Sequence, residues 1–165
     1  AAALLGAAST KTPTPDKAKP VSDEEKASEI ADVVSRAARP TIVRKLATTS
    51  ILWVDDIPSN IVYERKALEA LGIRFTISTS TADALGKLGH NKYDVIVSDM
   101  GRPEGDRAGY ELLKELRKMN DTTPFIIYSS SDLPEHKTEA RRRGAFGSTN
   151  NPQELFGFVL GAIQG

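Results

Sequence analysis

Ile51-Leu52-Trp53-Val54-Asp55-Asp56 and Val95-Ile96-Val97-Ser98-Asp99 decide how this chain folds. Each is a short apolar run that ends on acid. A run apolar at every position, not at alternate ones, reads as a strand buried on both faces. If two such strands lie parallel and adjacent, their carboxyl ends coincide. Asp55, Asp56 and Asp99 then meet at one edge of the sheet. Carboxylates gathered there repel one another, so the pocket suits a hard divalent cation bound through oxygen.

Outward from these runs, strands and helices alternate from residue 50 onward. Ser59 to Leu71 has helical spacing, with Ile61, Leu68 and Leu71 on one face. Ile73 to Ser78 alternates apolar and polar, as a half-buried strand does. Further helices are expected from Ser80 to Leu88, from Tyr110 to Met119 and from Pro134 to Arg143, with a strand at Phe125–Tyr128. A weak polar strand, Ala145–Thr149, precedes a last helix that opens on Pro152, a favoured first position. Strict alternation with short connections implies a parallel sheet covered on both faces, joined by right-handed crossovers. The first, third and fourth strands are the most apolar and belong at the centre; the second and fifth belong at the edges. The expectation is an α/β, flavodoxin-like (βα)5 doubly wound sheet in the order 2-1-3-4-5. Its ligand crevice lies at the carboxyl ends of strands 1 and 3, where the acids sit.

The remainder of the chain is different in kind. Residues 1–21 are rich in Ala, Thr, Pro and Lys without apolar periodicity and read as a flexible linker. Ser22-Asp23-Glu24-Glu25 is a capping box, which predicts a helix to about Arg39 that stops at Pro40. Its face, Ala27, Ile30, Val34 and Ala37, is thin, so residues 22–49 read as a short helix and a connection ahead of a domain over 50–165. The 165 residues carry 22 Lys+Arg and 22 Asp+Glu, so no net charge calls for nucleic acid or an anionic membrane. There is no Cys, which excludes disulfides and thiolate metal sites and fits a reducing, cytoplasmic setting. No apolar run approaches the roughly 20 residues of a membrane-spanning helix. The opening Ala1-Ala2-Ala3-Leu4-Leu5-Gly6 lacks a basic leader and makes a poor signal peptide.

Taken singly, an Asp before Pro-Ser, or at the end of a strand, reads as a turn or cap residue. Jointly the three acids mean more, because the topology gathers them for reasons independent of their identity. Mg2+ takes one or two carboxylates and keeps positions for water and phosphate oxygens. An Asp carboxylate can itself attack phosphorus to give an aspartyl phosphate. Ser129, at the end of the fourth strand, is placed to donate to a phosphoryl oxygen, although alone it reads as a turn serine.

These residues resemble the receiver domain of two-component response regulators. The resemblance rests on Leu52-Trp53-Val54-Asp55-Asp56, Val95-Ile96-Val97-Ser98-Asp99, Pro124-Phe125-Ile126-Ile127-Tyr128-Ser129, Gly144-Ala145 and Asn151-Pro152, in that order. It implies that Asp99 is the phosphoacceptor, taking phosphate from a histidine kinase or phosphotransfer protein. It implies Mg2+ held by Asp56 and Asp99, by Asp55 directly or through water, and by the carbonyl of Gly101. Ser129 would be the switch hydroxyl and Ser130 the small residue beside it. Phosphorylation would then bias a two-state equilibrium at the face made by the domain's fourth helix, fifth strand and last helix.

Three departures bear on that expectation. Asn151 stands where the family has Lys, and Ser148 where it usually has Tyr or Phe. A neutral amide in place of an ammonium weakens the hold on a phosphoryl group, since charge-assisted bonds are about twice as strong as neutral ones. The loop Met100–Gly109 is longer than usual. Its arginines read as solvent-exposed; the sharper alternative is that Arg102 or Arg107 reaches the acids in place of the lysine. Three functions follow: a phosphorylated receiver without a free substrate, a degenerate receiver that binds partners without phosphorylation, and, ranked last, a Mg2+-dependent phosphatase with an aspartate nucleophile. The last helix shows two apolar stripes, Phe156, Val159, Leu160 and Ile163 towards the sheet and Leu155, Phe158 and Ala162 on a second side. The second stripe reads equally as a wider core or as a homodimer or partner interface.

Overall fold

The computed structural model describes residues 22–28 and 40–164. The linker expected over 1–21, and Ile30, Val34 and Ala37 of the expected first helix, lie outside the described residues.

Within these bounds the chain forms α1 (Pro40–Ala47), β1 (Ser50–Val54), a 3-10 turn (Pro58–Ile61), α2 (Val62–Ala70), β2 (Arg74–Ser78), α3 (Thr81–Leu88), β3 (Val95–Ser98), α4 (Ala108–Lys118), β4 (Phe125–Tyr128), α5 (Pro134–Arg142), β5 (Gly147–Thr149) and α6 (Pro152–Gln164). The five strands form one parallel sheet in the order β2-β1-β3-β4-β5. This is the flavodoxin-like order that the apolar patterns of the strands imply.

Because successive strand residues face opposite sides, β1 feeds two cores. Ile51 and Trp53 join Val97 and Ile126 beneath α1, α2 and α6. Leu52 and Val54 join Ile96, Phe125 and Ile127 beneath α3, α4 and α5. Trp53 is fully buried, its ring packed against those of Phe75 and Tyr128.

Pro40 opens α1; its missing N–H costs nothing at a first turn, where that donor has no intrahelical partner. The expected end of the preceding helix at Arg39 lies outside the described residues. The capping box itself is present, with Ser22 and Glu25 each accepting from the other's backbone N–H, and residues 23–28 are helical. In α6 the two stripes merge differently from the expected division. Leu155 is fully buried beside Phe156, Val159 and Ile163, whereas Leu160 is only partly covered. Phe158 lies over β5, where a Cβ on Gly147 would come within 2.6 Å of its ring; the absent side chain makes room for the aromatic. Phe146 meets the same ring edge-on.

Candidate phosphoacceptor site

The parallel register of β1 and β3 pairs Trp53 with Val97 and Val54 with Ser98. The next residues on each strand are Asp55 and Asp99, still held by backbone bonds. The Asp99 N–H donates to the Val54 carbonyl at 3.0 Å and the Asp55 N–H to the Ser78 carbonyl at 2.9 Å. Sheet register alone therefore brings the acids together, and one carboxylate oxygen from each of Asp55, Asp56 and Asp99 lies within 4.8 Å of the others. Asp55 and Asp99 are buried and Asp56 is half-buried. Asp55 accepts from the Ile57 N–H at 2.8 Å, which aims its carboxylate back over the turn. Oδ2 of Asp99 faces the Asp56 N–H at a long 3.4 Å.

Burial sets the electrostatics. It pushes the Asp99 carboxyl up to about 7, against the pull of the neighbouring Arg102 guanidinium and with help from the Asp55 charge. Burial also raises Asp55, opposed by the Ile57 N–H and reinforced by Asp56. A cluster of hard oxygens this close, each disfavouring its neighbour's charge, fits a small divalent cation.

The β3–α4 loop contains the main surprise. Arg102 does not point to solvent: its side chain is 0% exposed. Nη1 donates to Oδ1 of Asp99 at 2.5 Å and to Oγ of Ser98 at 3.0 Å. Nη2 donates to Oγ1 of Thr81 at 2.6 Å, and Nε to Glu104 at 2.5 Å. Glu104 in turn accepts from the Thr81 N–H and hydroxyl. The extra loop length is taken up by a tight turn in which Arg102 and Gly105 exchange backbone bonds of 3.0 and 2.9 Å. Arg107 behaves as the exposed loop arginine expected, pairing with Glu139 at 3.6 Å. The loop closes against Gly109, where a Cβ would collide with the Asp99 carbonyl oxygen.

On the other side of Asp99, Ser129 follows β4 and donates its N–H to the Thr149 carbonyl at 3.1 Å. Ser129, Ser148 and Gly101 line one cavity of about 380 Å³, shared with Tyr110, His136 and Glu139. Asn151 does not line it. Its Oδ1 accepts from the N–H groups of Gln153 at 2.8 Å and Glu154 at 3.2 Å, so it caps the first turn of α6. Arg102 is the functional candidate that pattern reading left on the surface; its signal was an arginine three residues past the acid, beside a Pro-Glu-Gly turn.

Comparison with known proteins agrees with this geometry. Residues 51–154 match the family model described as the response regulator receiver domain. Over 98 residues the chain is 34% identical to the sensor protein EvgS of Escherichia coli K12, covering 59% of this chain and 8% of that protein. It is 31% identical over 105 residues to the sensor histidine kinase RcsC of the same strain, covering 64% of this chain and 11% of that one. It thus spans about a tenth of these relatives. The receiver domain of the Francisella response regulator 1452 superimposes with a TM-score of 0.64 at 32% identity, over 71% of this chain and 98% of that one. The matched motifs, the strand order and the shared acidic edge converge on one assignment: this chain belongs to the response regulator receiver family and is a receiver module of two-component signalling.

Proposed function

We propose that Asp99 accepts a phosphoryl group from a phosphohistidine on a histidine kinase or phosphotransfer protein. The observation that carries this reading is the approach of the Asp55, Asp56 and Asp99 oxygens to within 4.8 Å of one another. Asp55, Asp56 and Asp99, with the Gly101 carbonyl, are the groups that would hold Mg2+, which neutralises charge on the transferring group when bound. A carboxylate oxygen of Asp99 attacks phosphorus. The new O–P bond forms as the P–N bond breaks, and the electron pair leaves on the imidazole nitrogen, which then takes a proton from solvent. The Ser129 hydroxyl donates to a phosphoryl oxygen, and the cavity beside it gives the serine room to move. Bias then passes to the face of α5, β5 and α6. The aspartyl phosphate hydrolyses in place, without turnover of free phosphate esters, and the kinase partner puts the domain in the cytoplasm.

The test is direct. Incubation with Mg2+ and acetyl phosphate should add one phosphoryl mass, lost on replacing Asp99 by Asn or on adding EDTA. A second reading, a receiver that binds partners without phosphorylation, is favoured by the ion pair that already satisfies Asp99 and by the diversion of Asn151 to a helix cap. No mass increase in the wild-type chain under any donor would select it.

A further inference from the structure

We infer that Arg102 is the residue that takes the charge of the phosphoryl group on Asp99, and that Glu104 and Thr81 are the positioning residues that hold its guanidinium for that task. The inference rests on the phosphoacceptor reading and names a group for it from an unexpected side of the site.

A carboxylate that becomes an acyl phosphate gains charge in a half-dry pocket, so a cation must lie within bonding reach and must not wander. Among the described residues, Arg102 is the one cation ion-paired with any of the three acids. Other basic groups near this end of the sheet are engaged elsewhere. Arg107 is 61% exposed against Glu139, and Lys137 bridges Asp132 and Glu154. Asn151 has its side-chain oxygen committed to the backbone of α6.

Arg102 is also held as a phosphate-binding group should be. A buried arginine normally needs its donors satisfied, and here Nε and Nη2 are anchored to Glu104 and Thr81, while Nη1 is shared between Ser98 and the reacting carboxylate. Glu104 accepts from both the guanidinium and Thr81, so the anchors brace each other. The backbone turn from Arg102 to Gly105 fixes the root of the side chain. A planar fork so braced passes from a carboxylate oxygen to a phosphoryl oxygen by a small rotation, which an ammonium on a flexible stem does less selectively. With acetyl phosphate as donor, the Asp99 O–P bond forms as the bond from phosphorus to the acetate oxygen breaks. Acetate leaves with the electron pair and no proton is required; Arg102 exchanges one acceptor for another.

The experiment titrates the full chain, in Mg2+, with beryllofluoride as the phosphoryl mimic, following amide resonances, and measures the lifetime of the acetyl-phosphate-derived phosphoform by intact mass. Arg102→Gln should weaken beryllofluoride binding by about tenfold or more, the loss expected for a bond to a charged group. Its affinity for Mg2+ alone should not fall, because a competing cation has been removed from the acids. Arg102→Lys should recover part of the loss, and Glu104→Gln should fall between wild type and Arg102→Gln. In the wild-type chain the mimic should shift the amides of Thr81 and Glu104. Beryllofluoride binding by folded Arg102→Gln as tight as wild type would overturn the inference and leave the phosphoacceptor reading intact. A wild-type chain that takes neither mimic nor phosphoryl would overturn both. Should Arg102→Gln not fold, Arg102→Lys and Glu104→Gln decide: wild-type affinity and lifetime in both would be the contrary result.

Discussion

The two flanks of Asp99 are built on opposite plans. On the α3 side, Arg102, Glu104, Thr81 and Ser98 form a closed hydrogen-bonded knot around the carboxylate. On the β5 side, Ser148 is small, Asn151 turns away to cap α6, and a cavity of about 380 Å³ separates Ser129 from α5. Charge is needed near Asp99, but nothing in electrostatics dictates the direction from which it comes. In this chain the cation paired with Asp99 comes from the β3–α4 loop, and position 151 holds a neutral cap residue.

The comparison can be broken hardest at Gly109. A side chain there meets the Asp99 carbonyl, so Gly109→Val must push α4 off the end of β3. Destabilisation of about 3 kcal/mol, the upper range for overfilled interiors, is expected in urea unfolding. A value near zero would mean that the tight flank has slack. On the loose flank, Asn151→Ala removes one cap and should cost about 1 kcal/mol, with Asn151→Asp nearly neutral. Equal losses for the two would show that the carboxamide does more than cap.

A further effect is a pH dependence. Asp99 titrates near 7 in the folded chain but near 3.8 as an ordinary carboxyl, so between these values the folded state holds the extra proton. Its contribution to stability is then greatest below about pH 4, falls as pH rises, and levels off above about 7. In metal-free buffer, the unfolding midpoint of Asp99→Asn relative to wild type should climb across that window and stay flat beyond it. A difference that falls with pH would mean that Arg102 outweighs burial.

The architecture was legible because it depends on patterns that sterics and hydrophobicity enforce locally. Fully apolar β1, β3 and β4 must be central, and that alone brings Asp55 next to Asp99. Arg102 was legible only as an alternative beside Arg107, because one of the partners that bury it, Thr81, lies outside its own segment. Thr81 is 21 residues away in sequence, and an arginine among Gly, Pro and Asp gives no local sign of that bond. The fate of Leu155 was hidden for a related reason. The helical wheel gives two stripes, but α1, which covers part of α6, begins at a proline that reads equally as a stop.

That covering helix affects how short a working version of this domain could be. The matched family region runs from 51 to 154, yet Leu46 is 1% exposed and Ile163 8%, and both belong to the same core as Trp53. A fragment trimmed to the family boundaries would lose Leu46, Leu155, Phe156, Val159 and Ile163 from one face of the sheet and leave Ile51, Trp53 and Val97 open to water there. The core on that face of the sheet therefore reaches back to Leu46 in α1 and forward to Ile163 in α6.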